Sequence, residues 1–151
     1  MYRTWVEIDE QALISNVKTL RSLSDKARFC AVLKANAYGH GLKEVAQIIA
    51  RAGVQSCAVD QLSDALLLRS LFPSAQILLL GFVLFEDYED AIHNNIEFTL
   101  YDKEGITHAE KIAASSASVA QIHLKIETGT SRQGILLDDL PDLLLELQRQ
   151  Q

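Results

Sequence analysis

Cysteine and proline are scarce in this sequence, and it contains neither a long apolar run nor a basic cluster. Only two cysteines and two prolines stand among its 151 residues. Cys30 and Cys57 lie singly in apolar segments without metal-ligand spacing, which favours buried, reduced thiols over a disulfide or a metal site. No apolar stretch approaches the roughly 20 residues that span a bilayer, and the acidic start lacks the apolar core of a signal peptide. We therefore expect a cytoplasmic protein.

Positive charge is also in short supply. Lys and Arg number 14 against 20 Asp and Glu, which gives a net charge of −6 at pH 7. This balance argues against a positively charged surface that would bind nucleic acid or an anionic membrane. With 48% hydrophobic residues the chain has enough apolar material for a globular core. A small molecule is the expected partner.

Short apolar runs alternate with stretches whose apolar residues recur at helical spacing, a pattern that predicts the α/β class. The runs rich in Val, Ile and Leu are the predicted strands: Trp5–Ile8, Phe29–Leu33, Ser56–Val59, Gln76–Phe82, Ile96–Leu100 and Ala120–Ile126. Helical stripes follow the first, second, third and fifth of these runs, and a last stripe begins at Leu140. No linker interrupts the alternation, so one continuous domain is predicted. The pattern is compatible with an open doubly wound sheet and with a closed barrel.

The segment from Arg28 to Gly41 is the most informative. An apolar strand runs directly into Lys34, and a loop with Tyr38, Gly39, His40 and Gly41 leads to a helix predicted to begin near Leu42. Lys34 is therefore expected at the carboxyl edge of the sheet, which carries the chemistry in parallel α/β folds.

A lysine at that edge can form a Schiff base with an aldehyde when it is partly desolvated. The two glycines would let the backbone approach a ligand, and the start of the next helix would offer N–H groups to an anion. A phosphate-bearing aldehyde would suit this arrangement. The alternative reading is a solvated or snorkelling lysine, which is the commoner state of this residue.

The string from Ala31 to Gly41, AVLKANAYGHG, resembles the pyridoxal 5'-phosphate attachment signature of alanine racemases. The opening WVEID, with Ala12 and Asn16, resembles the family's first strand and helix, and ILLLG at 77–81 resembles its cofactor-facing turn. The resemblance implies a parallel (β/α) barrel, Lys34 as the cofactor-binding and catalytic lysine, Tyr38 at the cofactor phosphate and Leu80 packed on the cofactor. Without the resemblance, Tyr38 would be an aromatic plug and Leu80 an ordinary core residue.

A second motif, HLKIETGTSRQG at 123–134, again runs from a strand into a loop. It resembles the family's Lys-Val-Asp-Thr-Gly sequence followed by Arg-x-Gly. The resemblance implies that Arg132 contacts the phenolic oxygen of the cofactor and the carboxylate of the substrate, and that Lys125 can be carbamylated. Glu127 stands where aspartate is commoner, and Thr130-Ser131 also departs from the pattern. Taken alone, Arg132 would be a solvated loop charge.

Interconversion of L- and D-alanine, as D-alanine supply for peptidoglycan, is the activity that the resemblance implies. Inversion requires a second acid/base on the opposite face of the substrate. The family supplies it as a tyrosine from the C-terminal β domain of the partner subunit in a homodimer, and neither that motif nor the later arginine at the pyridine nitrogen occurs here. The histidines show no metal spacing, so no metal is expected.

A complete barrel takes about 250 residues, and this chain supplies about five of the eight units. We therefore expect residues 1–151 to be the N-terminal part of the barrel domain, without the β domain. The alternatives are a non-catalytic fragment that binds cofactor or dimerises, and a racemase of broader specificity. Other pyridoxal-phosphate barrels fit less well because their lysine motifs differ.

Overall fold

A computed structural model describes residues 4–23 and 26–149 of the chain. The chain divides into two compact units, Met1–Ile77 and Leu78–Gln151. Parallel strands alternate with helices in both, as the apolar pattern predicts, and the α/β class is confirmed. No helix in the described ranges is long and apolar enough to cross a membrane.

The first unit contains two parallel strands and their helices. Its elements are α1 (Glu10–Ser22), β1 (Ala31–Val32), the short helical segment α2 (Lys34–Tyr38), α3 (Leu42–Arg51), β2 (Ser56–Val59) and α4 (Leu62–Leu71). Strand β1 pairs with β2 in the register Ala31 to Cys57 and Val32 to Ala58. Helix α3 buries one apolar stripe, Leu42, Val45, Ala46, Ile48 and Ile49, beneath these strands.

Helix α1 is joined to the region around α3 by polar contacts at both of its ends. The Arg21 guanidinium donates from Nη1 to the carbonyl oxygens of Ala52 and Gly53, both at 3.2 Å. At the other end Arg51 Nε donates to Glu10 Oε1 at 3.0 Å. Each arginine contacts a residue about thirty or more positions away in the sequence. These contacts fix the position of α1, and helical periodicity does not reveal them.

In the second unit, β4 is paired with a parallel neighbour on each side. The elements from the unit boundary onward are β3 (Gln76–Leu79), the 3₁₀ turn η1 (Phe85–Asp87), α5 (Tyr88–His93), β4 (Glu97–Leu100), α6 (Lys103–Ser115), β5 (Ile122–Leu124) and α7 (Leu140–Arg149). Leu78 and Leu79 pair with Glu97 and Phe98, and β4 pairs in turn with β5. The side chain of Phe98 is completely buried and centres this core.

Four sequence predictions need correction. No strand forms at Trp5–Ile8, where Trp5 is 72% exposed, because a strand requires a paired neighbour and these residues have none among the described ones. The helical stretch Phe85–His93 was not predicted. Cys30 is exposed and only Cys57 is buried, although both thiols are free as expected. Most strands are also shorter than their apolar runs, whereas Ser56–Val59 agrees in both bounds.

The buried Tyr88 hydroxyl makes the stability of the second unit sensitive to alkaline pH. Burial raises the pKa of Tyr88 from 10.0 to about 12, and the charges of Asp102 and Tyr101 add to the effect. The folded state therefore holds this proton more tightly than the unfolded state. Its contribution to stability is complete below pH 10 and is lost as the pH rises through 12.

We expect the free energy of unfolding to fall more steeply between pH 10 and pH 12 in the wild type than in Tyr88→Phe, because phenylalanine has no proton to lose. Denaturant titrations monitored by circular dichroism at several alkaline pH values measure this slope. Equal slopes for the two proteins would contradict the prediction.

Candidate active site

Lys34 lies directly beyond β1, at the carboxyl end of the strand pair. The Leu33 N–H donates to the Ala58 carbonyl at 2.8 Å, so the ladder between β1 and β2 continues to the residue before the lysine. The Lys34 side chain is 37% exposed, which leaves its amine accessible from solvent. The predicted place of Lys34 at the strand end is confirmed, while its chemical role stays a prediction.

The segment after Lys34 is a left-handed helical turn rather than the predicted irregular loop. Ala35, Asn36, Ala37 and Tyr38 have φ values between +52° and +56°. Each non-glycine residue in this conformation costs about 1–2 kcal/mol, because its Cβ approaches the following carbonyl oxygen. Four in succession are a considerable cost against a typical folding stability of about 5–15 kcal/mol. The surrounding contacts must offset it.

Asn36 is the residue that ties this turn to α3. Its Oδ1 accepts the backbone N–H of Leu42 at 2.8 Å, and its own carbonyl oxygen accepts the N–H of Gly41 at 3.0 Å. Asparagine also tolerates the left-handed region better than most residues. Asn36 therefore both tolerates the left-handed backbone conformation and caps the first N–H of α3.

Apolar burial and one histidine complete the support of the turn. The side chains of Leu33, Ala37 and Leu42 are each 5% exposed or less. His40 Nδ1 lies 2.9 Å from the Ala37 carbonyl oxygen, which can only accept, so the ring carries its proton on Nδ1. The turn is thus packed on one side and hydrogen-bonded on the other.

The start of α3 is not open to an anion in the way that the sequence suggested. Its first N–H, that of Leu42, already donates to Asn36. A Cβ placed on Gly41 would lie 2.6 Å from Glu44 Oε2, so a carboxylate already occupies the space beside the helix start. Gly39, in contrast, has open space within 4 Å of the position of an added Cβ. A ligand can therefore approach the backbone at Gly39 more readily than at Gly41.

Asp60 joins Lys34 at this edge and was not predicted. It follows β2 just as Lys34 follows β1, and its Oδ2 lies 3.4 Å from Lys34 Nζ. The available signal was the acidic residue at the end of a predicted strand next to the lysine strand. The register of β1 against β2 is what decides that the two charged groups meet.

Tyr38 lines an apolar groove beside the turn. The Tyr38 side chain is 60% exposed, so its hydroxyl can reach a ligand. An open groove of about 600 Å³ between α1, β1 and α3 is lined by Tyr38 and His40 among mostly aliphatic side chains. Lys34 is not among the groove's lining residues, so the groove is separate from the amine.

In the second unit, the predicted site residues also follow strands. Thr99 Oγ1 donates to the carbonyl oxygens of Leu80 and Gly81, at 3.4 and 3.3 Å, and so fixes the turn that follows β3. The Lys125 N–H donates to the Leu100 carbonyl at 2.9 Å, which continues the β4–β5 ladder to Lys125. Leu80 and Lys125 are half-buried, and Arg132 is exposed.

The loop that carries Arg132 is organised by Glu127. Its carboxylate accepts the Gly129 N–H, and the backbone N–H groups of the loop, that of Ser131 foremost, lower the pKa of the Glu127 carboxyl below its usual value. The end of the loop is also held in place, because the Ile135 N–H donates to the Lys125 carbonyl at 2.8 Å. A Cβ at Gly134 would lie 2.6 Å from the Glu127 nitrogen, so only glycine fits there. Sequence reasoning noted Glu127 as a departure and missed this contact.

Comparisons with known proteins agree with this layout. The family model "Alanine racemase, N-terminal domain" matches residues 8–151. The alanine racemase of Methanococcus maripaludis is 38% identical over 133 residues, which are 87% of this chain and 36% of that protein. The corresponding enzyme of Listeria innocua is 40% identical over 134 residues, 87% of this chain and 35% of that protein. The chain thus spans little more than a third of the length of these relatives.

Solved structures agree in fold. An alanine racemase of Clostridium difficile superposes with a TM-score of 0.93 and 32% identity over 100% of this chain and 40% of that chain. A histidine racemase of Leuconostoc mesenteroides gives a TM-score of 0.86 and 31% identity over 93% of this chain and 38% of that chain. The predicted barrel type, in part, is confirmed by these neighbours.

We expect Asn36→Ala to lower the free energy of unfolding by about 1 kcal/mol or more, because it removes the cap on Leu42 and places another alanine in the left-handed region. Ala35→Gly is the matched control, since glycine adopts φ +52° without the clash and should leave stability within about 1 kcal/mol or raise it. Urea unfolding followed by circular dichroism measures both. A wild-type midpoint for Asn36→Ala would contradict the role given to this side chain.

We expect the Glu127 loop to loosen on acidification. Because the folded pKa is lowered, the stabilisation by Glu127 is present above pH 4.5, its ordinary value, and is lost as the pH falls through the folded pKa. The amide resonances of Gly129 and Ser131 should shift with this titration in nuclear magnetic resonance spectra, and the shift should be absent in Glu127→Gln. An identical acid titration in that variant would refute the contact.

Proposed function

The chain belongs to the alanine racemase family, and from this premise we propose that it binds pyridoxal 5'-phosphate through Lys34 and takes part in interconverting L- and D-alanine. The observation that carries the proposal is the accessible primary amine at the carboxyl end of β1, held by a turn of unusual handedness. An amine there can condense with an aldehyde, which is the first requirement of this chemistry. We likewise propose that residues 1–151 form the N-terminal part of the barrel domain.

The residues around Lys34 fit an aldehyde that bears a phosphate. The Lys34 side chain is 37% exposed, and the exposed Tyr38 side chain, four residues later, carries a hydroxyl that can donate to an anion. Gly39 leaves room for a ligand against the backbone. When bound, pyridoxal phosphate supplies an aldehyde for the amino group and a ring that accepts the electrons left by removal of the α-proton.

The predicted site residues would then bind the cofactor and the substrate and move a proton. Lys34 would hold the cofactor through its amine and, when that amine is free, would move the α-proton on one face of the substrate. Arg132 offers a planar fork of donors to the substrate carboxylate and to the phenolic oxygen of the cofactor. Tyr38 binds the phosphate, and Leu80 packs on the ring. These roles follow the resemblance, residue by residue, and a carbamylated Lys125 would steady Arg132.

One further requirement lies with the complete enzyme. A second acid/base must act on the opposite face of the substrate, because a single base returns the proton to the face that it left. We propose that a homodimeric, cytoplasmic enzyme provides this group. D-alanine supply for peptidoglycan is the proposed use of the product.

A broader substrate range is the second candidate function. The neighbour described as a histidine racemase is 31% identical to this chain with a TM-score of 0.86. The barrel part seen here is therefore compatible with amino acids larger than alanine. Assays with L-alanine and L-histidine, read by chiral chromatography, would distinguish the two.

We expect borohydride treatment with pyridoxal phosphate to attach one pyridoxyl group to Lys34, because reduction fixes the bond between amine and aldehyde. Peptide mass spectrometry locates the label. Lys34→Ala should abolish it, whereas Lys43→Ala, which changes an exposed lysine on α3, should retain it. Labelling of another lysine in place of residue 34, with undiminished yield in Lys34→Ala, would reject the assignment.

A further inference from the structure

The parallel register of β1 and β2 brings two opposite charges together where the strands end. Val32 is paired with Ala58, and the Leu33 N–H continues the ladder to the Ala58 carbonyl. Lys34 and Asp60 each stand two residues beyond that pair, at the same edge of the strands. Their Nζ and Oδ2 atoms are 3.4 Å apart, within the distance of an ion pair. The contact therefore follows from the register.

Neither the turn nor the strands need this carboxylate for their own hydrogen bonds. The left-handed turn is supported by Asn36 and His40, and the ladder by backbone groups. Helix α4 begins at Leu62 after Gln61, so Asp60 is not its capping residue. In the part of the chain that the structure describes, the Asp60 carboxylate contacts the amine that the proposed chemistry uses.

We propose that Asp60 is a positioning residue for Lys34, which holds the amine at the strand edge whenever the amine is not bonded to an aldehyde. This inference rests on the proposed function only for the identity of the natural aldehyde. In a racemase the lysine must leave the cofactor when the substrate enters and must return afterwards. A partner at 3.4 Å keeps the released side chain near its place of attachment instead of letting it range through solvent.

The exposure of the pair suits such a temporary hold. The side chains of Lys34 and Asp60 are 37% and 40% exposed, so water and salt screen their attraction. Pairs of this kind change an equilibrium by no more than about fivefold. The carboxylate can therefore detain the amine without preventing its reaction.

The pair should slow the reaction of Lys34 with any aldehyde. For the reaction to proceed, the ammonium leaves the carboxylate and gives up a proton, the nitrogen adds to the carbonyl carbon, and the oxygen departs as water. A hydride from cyanoborohydride then reduces the carbon–nitrogen double bond to a stable amine. The rate of this labelling at Lys34 reports how firmly the amine is held.

The test is reductive methylation of the full chain with limiting formaldehyde and cyanoborohydride at neutral pH and low ionic strength. Peptide mass spectrometry gives the rate at Lys34 relative to the exposed Lys43 and Lys111 of the same molecule. We expect Asp60→Asn to raise this ratio about two- to fivefold, and Asp60→Glu to restore the lower value. Asp64→Asn makes the same change of charge four residues later and should leave the ratio unchanged. A wild-type or lower ratio in Asp60→Asn would overturn the proposal.

A second measurement needs no variant. Raising the salt concentration to about 1 M shortens the screening length to about 3 Å and should raise the Lys34 ratio of the wild type toward that of Asp60→Asn. An unchanged ratio would count against the ion pair even if the variant does not fold. Formaldehyde carries no phosphate or ring, so this result is independent of cofactor binding. If pyridoxal phosphate does not label Lys34, the proposed function is rejected and the formaldehyde result still stands. If the formaldehyde ratio does not rise in Asp60→Asn, the role of Asp60 is rejected and the proposed function still stands.

Discussion

The hydrogen bond from the Leu42 N–H to the Asn36 side chain is the contact on which the lysine end of the molecule depends. It joins the left-handed turn to the first residue of α3, whose buried stripe supports the strands. The turn would otherwise carry the cost of four left-handed residues without a fixed end. Strained backbone of this kind persists only where the surroundings over-determine it. Here the strain begins one residue after Lys34, so the direction in which the chain leaves this lysine is fixed.

The sequence predicts the elements whose burial leaves a local apolar pattern, and it does not predict features that depend on tertiary contacts. Ser56–Val59 and the start of α3 at Leu42 agree with the apolar pattern, because the buried residues of both elements are apolar and contiguous or helically spaced in the sequence. Trp5–Ile8 has a similar pattern yet forms no strand, because a strand depends on a paired neighbour. No sequence signal indicated that the turn after Lys34 is left-handed. Alanine does not favour positive φ, and tertiary contacts impose it.

The residues of the candidate site likewise fall into those that the sequence places and those whose contacts depend on the tertiary structure. Lys34 could be placed at a strand end from its local sequence, and Arg132 could be placed in a loop after β5. Asp60 could not be assigned as the partner of Lys34, because that contact depends on how two strands are aligned. Glu127 looked like a mere departure from a motif, although its carboxylate binds the backbone of the following loop. Motifs therefore do not reveal contacts that depend on strand register or on the backbone of a loop, whereas they do place Lys34 at a strand end.

The unequal environments of the two thiols have a practical consequence. Cys57 is buried and its pKa is raised to about 11 by burial and by the neighbouring Cys30, so little thiolate forms there near neutral pH. Cys30 is exposed and precedes Lys34 by four residues. A maleimide dye should therefore attach at one place, at the amino end of β1 and in the lining of the apolar groove, without any engineered cysteine. The native chain thus offers a labelling position for a fluorescent reporter of ligands that enter this groove.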